Sequence, residues 1–71
     1  MTFDQFAAFL VGAFRLISNR TGSVLFESAS SFTAVFGDYP PDLAAAPVVA
    51  VYAQDSRTVI ELDMEVQNGT R

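Results

Sequence analysis

The sequence contains no cysteine and no histidine among its 71 residues. Disulfide bonds are therefore excluded, and so are the thiolate and imidazole ligands that hold structural zinc. A chain of this size forms one domain at most, and it buries only about 60% of the surface that the unfolded chain exposes. Domains with so thin a core often depend on disulfides, metals or association. Because disulfides and structural zinc are excluded, the composition favours association.

Lysine is also absent, and the four arginines are scattered along the chain. Together with eight acidic residues they give a net charge of −4. Nucleic-acid binding requires clustered positive charge to neutralise phosphates, so we expect no direct binding of nucleic acid. Residues 1–37 are neutral overall, whereas residues 38–71 hold six acidic residues and two arginines, which sum to −4. Any electrostatic role therefore belongs to the C-terminal half.

The missing residue types also remove the usual catalytic groups. Histidine, lysine and cysteine supply most bases and nucleophiles that act near neutral pH. A pair of carboxylates can hydrolyse glycosides, but that reaction needs a cleft that a 71-residue domain seldom builds. The four glycines are isolated, so no phosphate-binding loop is present. We expect no enzymatic activity, no cofactor and no metal site.

Targeting signals are not apparent either. The N-terminus has no basic segment, and the uncharged apolar stretch between Asp4 and Arg15 contains only ten residues. A secretory signal begins with positive charge, and a membrane span needs about 20 apolar residues. The sequence therefore predicts no classical secretion and no membrane span, with a location in the cytoplasm or within an assembled particle.

Apolar residues, in contrast, are abundant. Hydrophobic residues make up 51% of the chain and charged residues only 17%, compared with about 25% charged residues in a typical soluble domain. A small domain is mostly surface, so it cannot hide this many apolar side chains by itself. The excess predicts contact with a protein partner or with further copies of the chain.

The first part of the chain predicts an amphipathic helix over residues 3–18. Thr2 and Gln5 are spaced as a capping box at its start. Apolar residues then recur at i, i+3, i+4 and i+7, which places them on one stripe of a helix. They are Phe3, Phe6, Ala7, Leu10, Ala13, Phe14 and Ile17.

Beyond the helix the apolar period changes from 3.6 to 2. Strands are predicted over 23–28, 31–37, 48–54 and 58–67, although a serine cap also allows a short helix ending at Gly37. The proline-rich segment 38–47 is a loop in which Pro41 can open one helical turn. The last two strands form a hairpin around the turn Asp55–Arg57. The predicted fold is α+β, a single domain in which one N-terminal amphipathic helix packs on a small antiparallel sheet of three to four strands.

Four apolar residues are candidate interface positions. Phe9 and Leu16 form a second strip beside the main helical stripe, and Val11 lies on a further side. Tyr39, which precedes two prolines, is either an exposed anchor or an aromatic ring folded onto the sheet. The other aromatic side chains are expected in the core. They are Phe3, Phe6, Phe14, Phe26, Phe32, Phe36 and Tyr52.

Three acidic residues form a row along the last predicted strand. Glu61, Asp63 and Glu65 alternate with apolar residues, so they would project from one face about 7 Å apart. This row either docks on a basic protein surface or is a solvated face that prevents incorrect strand pairing. A flat strand spreads its carboxylates too widely to bind calcium.

Two functional hypotheses follow. The first is a small structural or accessory subunit of a larger assembly, such as a virion, that acts through apolar contacts. The second is a small acidic inhibitor or regulator, of the anti-defence kind, that covers a basic surface of a host complex. Charge matching would make binding by such an inhibitor sensitive to salt.

Overall fold

The computed structural model describes residues 1–64. These residues form two short α-helices, two 3-10 turns and four strands. In chain order the elements are α1 (Phe3–Phe6), a 3-10 turn (Ala7–Phe9), β1 (Phe14–Ser18), β2 (Val24–Ser28), α2 (Phe32–Val35), a second 3-10 turn (Pro41–Leu43), β3 (Val48–Gln54) and β4 (Arg57–Leu62). The α+β class is therefore confirmed, and so are the strand near 23–28 and the helical turn at Pro41.

The four strands form one sheet in the order β2-β1-β4-β3. The two outer pairs, β1–β2 and β3–β4, are antiparallel, but the central pair β1–β4 is parallel. The sheet is thus mixed, and the wholly antiparallel arrangement predicted from the sequence is wrong at its centre. A parallel pair needs a long crossover, which residues 29–47 provide on the way from β2 to β3.

The predicted helix over 3–18 is wrong beyond Phe9. Helical structure ends there, and Gly12 has a φ of +80°, in the left-handed region that glycine occupies most easily. The following residues, Phe14–Ser18, form β1, which pairs with a strand on each side. Alternate side chains of β1 are buried, and these are Phe14, Leu16 and Ser18. The segment therefore fits a period of 2, and pairing with two neighbouring strands selects the extended form.

Over residues 31–37 the predicted strand is wrong and the alternative of a short helix is confirmed, because α2 occupies the centre of this segment. The chain turns directly after β2, where the hydroxyl oxygen of Ser28 accepts a hydrogen bond from the backbone N–H of Ser30 at 3.2 Å. The same hydroxyl lies 2.7 Å from the hydroxyl of Thr33. These side-chain bonds favour a turn and a helix start over continued strand pairing.

The predicted hairpin is confirmed. β3 has the predicted bounds, and β4 begins after a two-residue turn formed by Asp55 and Ser56. Both turn residues have positive φ, 54° and 63°, which identifies the type I′ turn that matches the twist of paired strands. β4 ends at Leu62, earlier than predicted, and residues 65–67 of the predicted strand lie outside the described residues.

All the helical pieces pack on one face of the sheet. The buried core between them contains Phe3, Ala7, Leu10, Phe14, Leu16, Ala34, Leu43, Ala46, Ile60 and Leu62. The N-terminal residues are fastened to the segment before β3, since the backbone N–H of Phe3 donates to the carbonyl of Ala46 at 2.9 Å. The opposite face of the sheet is covered by none of these helices and turns.

Candidate interaction surfaces

Phe9 and Val11 lie at the end of the helical segment and in the link to β1. Their side chains are 71% and 85% exposed. The helix face on which the sequence placed them does not form, because the helical structure ends at Phe9. Both side chains nevertheless present apolar surface to solvent, as an interface residue must.

Leu16 does not belong with them. It is fully buried on β1, where its register neighbours are Phe26 of β2 and Ile60 of β4. As a strand residue it points to the same face as Phe14, into the core beneath the helices. Leu16 is therefore a core residue, and its assignment to an interface strip is wrong.

α2 exposes aromatic side chains that the sequence interpretation had assigned to the core. Phe32 and Phe36 are 66% and 78% exposed, and their rings stack with centroids 6.1 Å apart. Only Ala34 of α2 is buried. α2 contacts the 3-10 turn that ends at Phe9. We call Phe9, Phe32 and Phe36 the aromatic face, since they are the exposed aromatic rings of two adjoining helical pieces.

The aromatic face could have been found from the sequence only by preferring the helix over the strand at residues 31–37. Phe32 and Phe36 are four residues apart, so a helix places them on one side, and Ser31 precedes them as a possible cap. In a strand the same two residues alternate with Ala34 and would face a common core. The period-2 interpretation therefore concealed the face.

Tyr39 is half-buried and packs against the core. Its ring meets the ring of Phe3 edge-on, with centroids 5.0 Å apart and planes at 75°. Burial raises the pKa of the Tyr39 hydroxyl, and the nearby charge of Asp4 adds to the effect. Of the two predicted arrangements, the structure shows the ring folded onto the body of the protein.

The acidic row does not form a free stripe within the described residues. Glu61 accepts a hydrogen bond from the side-chain amide of Asn19 at 2.9 Å, and Asp63, one residue beyond the end of β4, pairs with Arg20 at 2.9 Å. Glu65 lies outside the described residues. The negative charges of Glu61 and Asp63 are therefore already engaged by groups of the same chain.

The face of the sheet that lacks helices is held by a charged cluster that the sequence analysis missed. One carboxylate oxygen of Glu27 on β2 accepts hydrogen bonds from the Nε of Arg15 and the Nη1 of Arg57, each at 2.7 Å. The hydrogen bond from Arg15 lowers the pKa of Glu27, and the charges of both arginines act in the same direction. The signal was hidden because the helix predicted over 3–18 includes Arg15.

Between these charges and β3, Val59 is fully buried although no helix covers it. Its register neighbours are Arg15 on β1 and Tyr52 on β3. Long side chains such as arginine and tyrosine can lay their apolar parts over a neighbour while keeping the polar end in water. This face of the sheet therefore shields its own apolar centre.

A shallow depression of about 250 Å³ lies where the link to β1 meets the hairpin turn. Its lining includes Val11, Gly12 and Ala53, with Ser56, Arg57 and Thr58 as its polar members. It holds no carboxylate side chain, so it does not present the acid–base pair that glycoside hydrolysis requires.

Within residues 1–64 no helix is long and apolar enough to cross a bilayer. In the same part of the chain, no three side chains of metal-binding type gather into a ligand set. Comparison with family models, curated proteins and solved structures gave no match to this chain.

Proposed function

We propose that the protein is a non-enzymatic structural or accessory subunit of a larger protein assembly, such as a virion or another multi-subunit particle. The aromatic face is the observation that carries this proposal. The fold buries Phe3 and Phe14 completely while leaving Phe9, Phe32 and Phe36 about two-thirds exposed or more. Rings of this size each carry a large hydrophobic free energy when they leave water.

The compactness of the chain supports the same conclusion. The Cα radius of gyration is 11.1 Å, and a folded domain of 71 residues is expected at about 11 Å. Expansion of the chain therefore does not explain why the aromatic rings are exposed. A compact fold that leaves large aromatic side chains exposed favours binding to another protein surface.

The alternative, an acidic inhibitor of a basic host surface, has less support. Glu61 and Asp63 are bonded to Asn19 and Arg20, and Glu27 is held between two arginines. At these three carboxylates a basic partner would have to replace existing bonds. The exposed apolar surface offers a contact that needs no such exchange.

Light scattering at about 0.05 M and about 0.5 M salt tests the proposal, because a Debye length falls severalfold over this range while apolar contacts persist. We expect wild-type protein to form species larger than a dimer at both salt concentrations. Phe9→Asp and Phe36→Asp should remove these species while circular dichroism stays unchanged. Val24→Asp, a similar change at an exposed valine of β2, is the matched control and should behave as wild type.

Two results would contradict the proposal. One is a wild-type protein that stays monomeric or dimeric at both salt concentrations. The other is undiminished higher-order association of the Phe9→Asp and Phe36→Asp variants, which would place the contacts elsewhere. Association that dissolves at high salt would instead favour the electrostatic alternative.

A further inference from the structure

The outer side of β3 forms an edge of the sheet, and only its beginning is covered within residues 1–64. The backbone N–H of Val48 donates to the carbonyl of Met1 at 2.8 Å, and Thr2 forms an isolated antiparallel β-bridge with Pro47. From Val49 to Gln54 no described strand lies on this side. After Leu62, the backbone N–H of Asp63 donates to the carbonyl of Pro47 at 2.9 Å, and the carbonyl of Met64 accepts a hydrogen bond from the hydroxyl of Ser18 on β1.

This edge lacks the features that usually prevent strands from pairing between molecules. Such features are charged side chains, prolines, bulges and short length. β3 has seven residues and contains neither charge nor proline, and its one irregularity lies between Val48 and Ala50. The other edge, β2, has five residues, the charged Glu27 and an irregularity in the middle of its pairing with β1.

We propose that β3 of a second copy of the chain covers this edge, antiparallel to the first and related to it by a two-fold axis. Each molecule carries a net charge of −4, so two copies repel over much of their surfaces. The uncharged β3 is where they can approach closely. Two identical edges in a two-fold arrangement satisfy each other's free backbone groups equally.

The hairpin turn and the N-terminus together fix the register. In a two-residue hairpin the two residues that flank the turn form a hydrogen-bonded pair, and such pairs alternate along the strands. Gln54 and Tyr52 therefore direct their backbone N–H and C=O groups to β4. Val51 and Ala53 direct theirs to the open edge. Val51 of one copy then pairs with Ala53 of the other, and Tyr52 lies on the axis opposite itself. If the axis passed through Val51 instead, Gln54 of one copy would lie opposite Val48 of the other copy. The N–H of Val48 is already bonded to Met1 of its own chain.

Side chains on both faces of the strand gain from this pairing. Val51 and Tyr52 are 44% and 40% exposed, and each would receive an apolar neighbour across the new pair of strands. Hydrogen bonding to Glu61 and burial raise the pKa of the Tyr52 hydroxyl. The inference concerns the β3 edge alone and goes beyond the docking through the aromatic face proposed above.

Cysteine cross-linking tests the register directly, because the chain has no cysteine of its own. In the proposed dimer, Tyr52→Cys places two thiols on the axis, where Cα atoms of facing residues lie about 4.5 Å apart, within reach of a disulfide. We expect nearly complete disulfide dimer after mild oxidation. Val24→Cys, on the other edge, is the matched control and should remain monomeric on a non-reducing gel. The reverse pattern would overturn the inference.

Sedimentation velocity tests the edge without covalent capture, in a Phe36→Asp background that removes the aromatic face. We expect this protein to sediment at about twice its 7.7 kDa mass, and Val24→Lys to leave that sedimenting mass unchanged. Val51→Lys should halve the sedimenting mass, because charge on an edge opposes pairing. Ala53→Lys, a change at a residue that is already exposed, should halve it as well. A monomeric Phe36→Asp parent, or dimers that survive both lysines, would overturn the inference without affecting the aromatic face.

Discussion

Leu16 and Phe9 differ in environment although both are large and apolar. Leu16 is fully buried between strands on either side, whereas Phe9 is 71% exposed at the end of a 3-10 turn. Stability should therefore depend on Leu16, and association on Phe9. Truncating each side chain separates the two roles.

We predict that Leu16→Ala lowers the free energy of unfolding by about 2–5 kcal/mol, because it removes buried methyl groups and leaves a cavity. Phe9→Ala should change the same quantity by about 0.5 kcal/mol or less, since an exposed side chain makes few contacts. Urea denaturation followed by circular dichroism, in the Phe36→Asp background, gives both values. Equal losses for the two variants would mean that the chain's own core shields Phe9.

The environment of Leu16 could not be predicted from the sequence because its neighbours satisfy two periods. Phe14 and Ile17 are three residues apart and fit a helix, whereas Phe14, Leu16 and Ser18 fit a strand. Partners on β2 and β4 decide between them, and neither partner is local in sequence. Phe9 was recognised as lying off the apolar stripe, and this feature does not depend on the helix continuing beyond it.

Among the elements, the link between the helical segment and β1 depends on Gly12. Its φ of +80° belongs to a region that L side chains rarely adopt. A β-carbon built on this residue would meet no atom within 4 Å. Substitution therefore tests backbone conformation alone, free of steric crowding.

We predict that Gly12→Ala lowers the free energy of unfolding by about 1 kcal/mol or more, because alanine is strained at positive φ. If residues 3–18 formed one helix, the same change would raise stability by up to about 1 kcal/mol, since alanine is a better helix former than glycine. The sign of the change, measured by urea denaturation, distinguishes the two structures. A stabilised variant would contradict the break at Gly12.

The elements that sequence reasoning predicted correctly are those with local signals. The hairpin has alternating apolar residues on β4 and turn residues at Asp55 and Ser56, all within one continuous segment. The parallel pairing of β1 with β4 joins segments more than 40 residues apart, and no local sequence pattern indicates it. α2 was only the alternative to a strand for a related reason, since its residues fit both forms until the bonds of Ser28 fix the turn before it.

Within residues 1–64, the aromatic face and the β3 edge are two separate surfaces on which large apolar side chains are exposed. The helical layer covers one face of the sheet, and the cluster of Arg15, Glu27 and Arg57 closes the other. One surface can join two copies while the other docks on a further protein, which is the arrangement that a subunit of an extended assembly requires.

A final prediction concerns the stability of the whole molecule. When association stabilises only the folded state, the denaturation midpoint rises with protein concentration. For the Phe36→Asp protein, in which only the β3 edge operates, a tenfold higher concentration should add about 1.4 kcal/mol of stability per dimer. Adding Val51→Lys should abolish this dependence, and adding Val24→Lys should preserve it. A midpoint independent of concentration in the Phe36→Asp protein would show that the thin core is sufficient without a second copy.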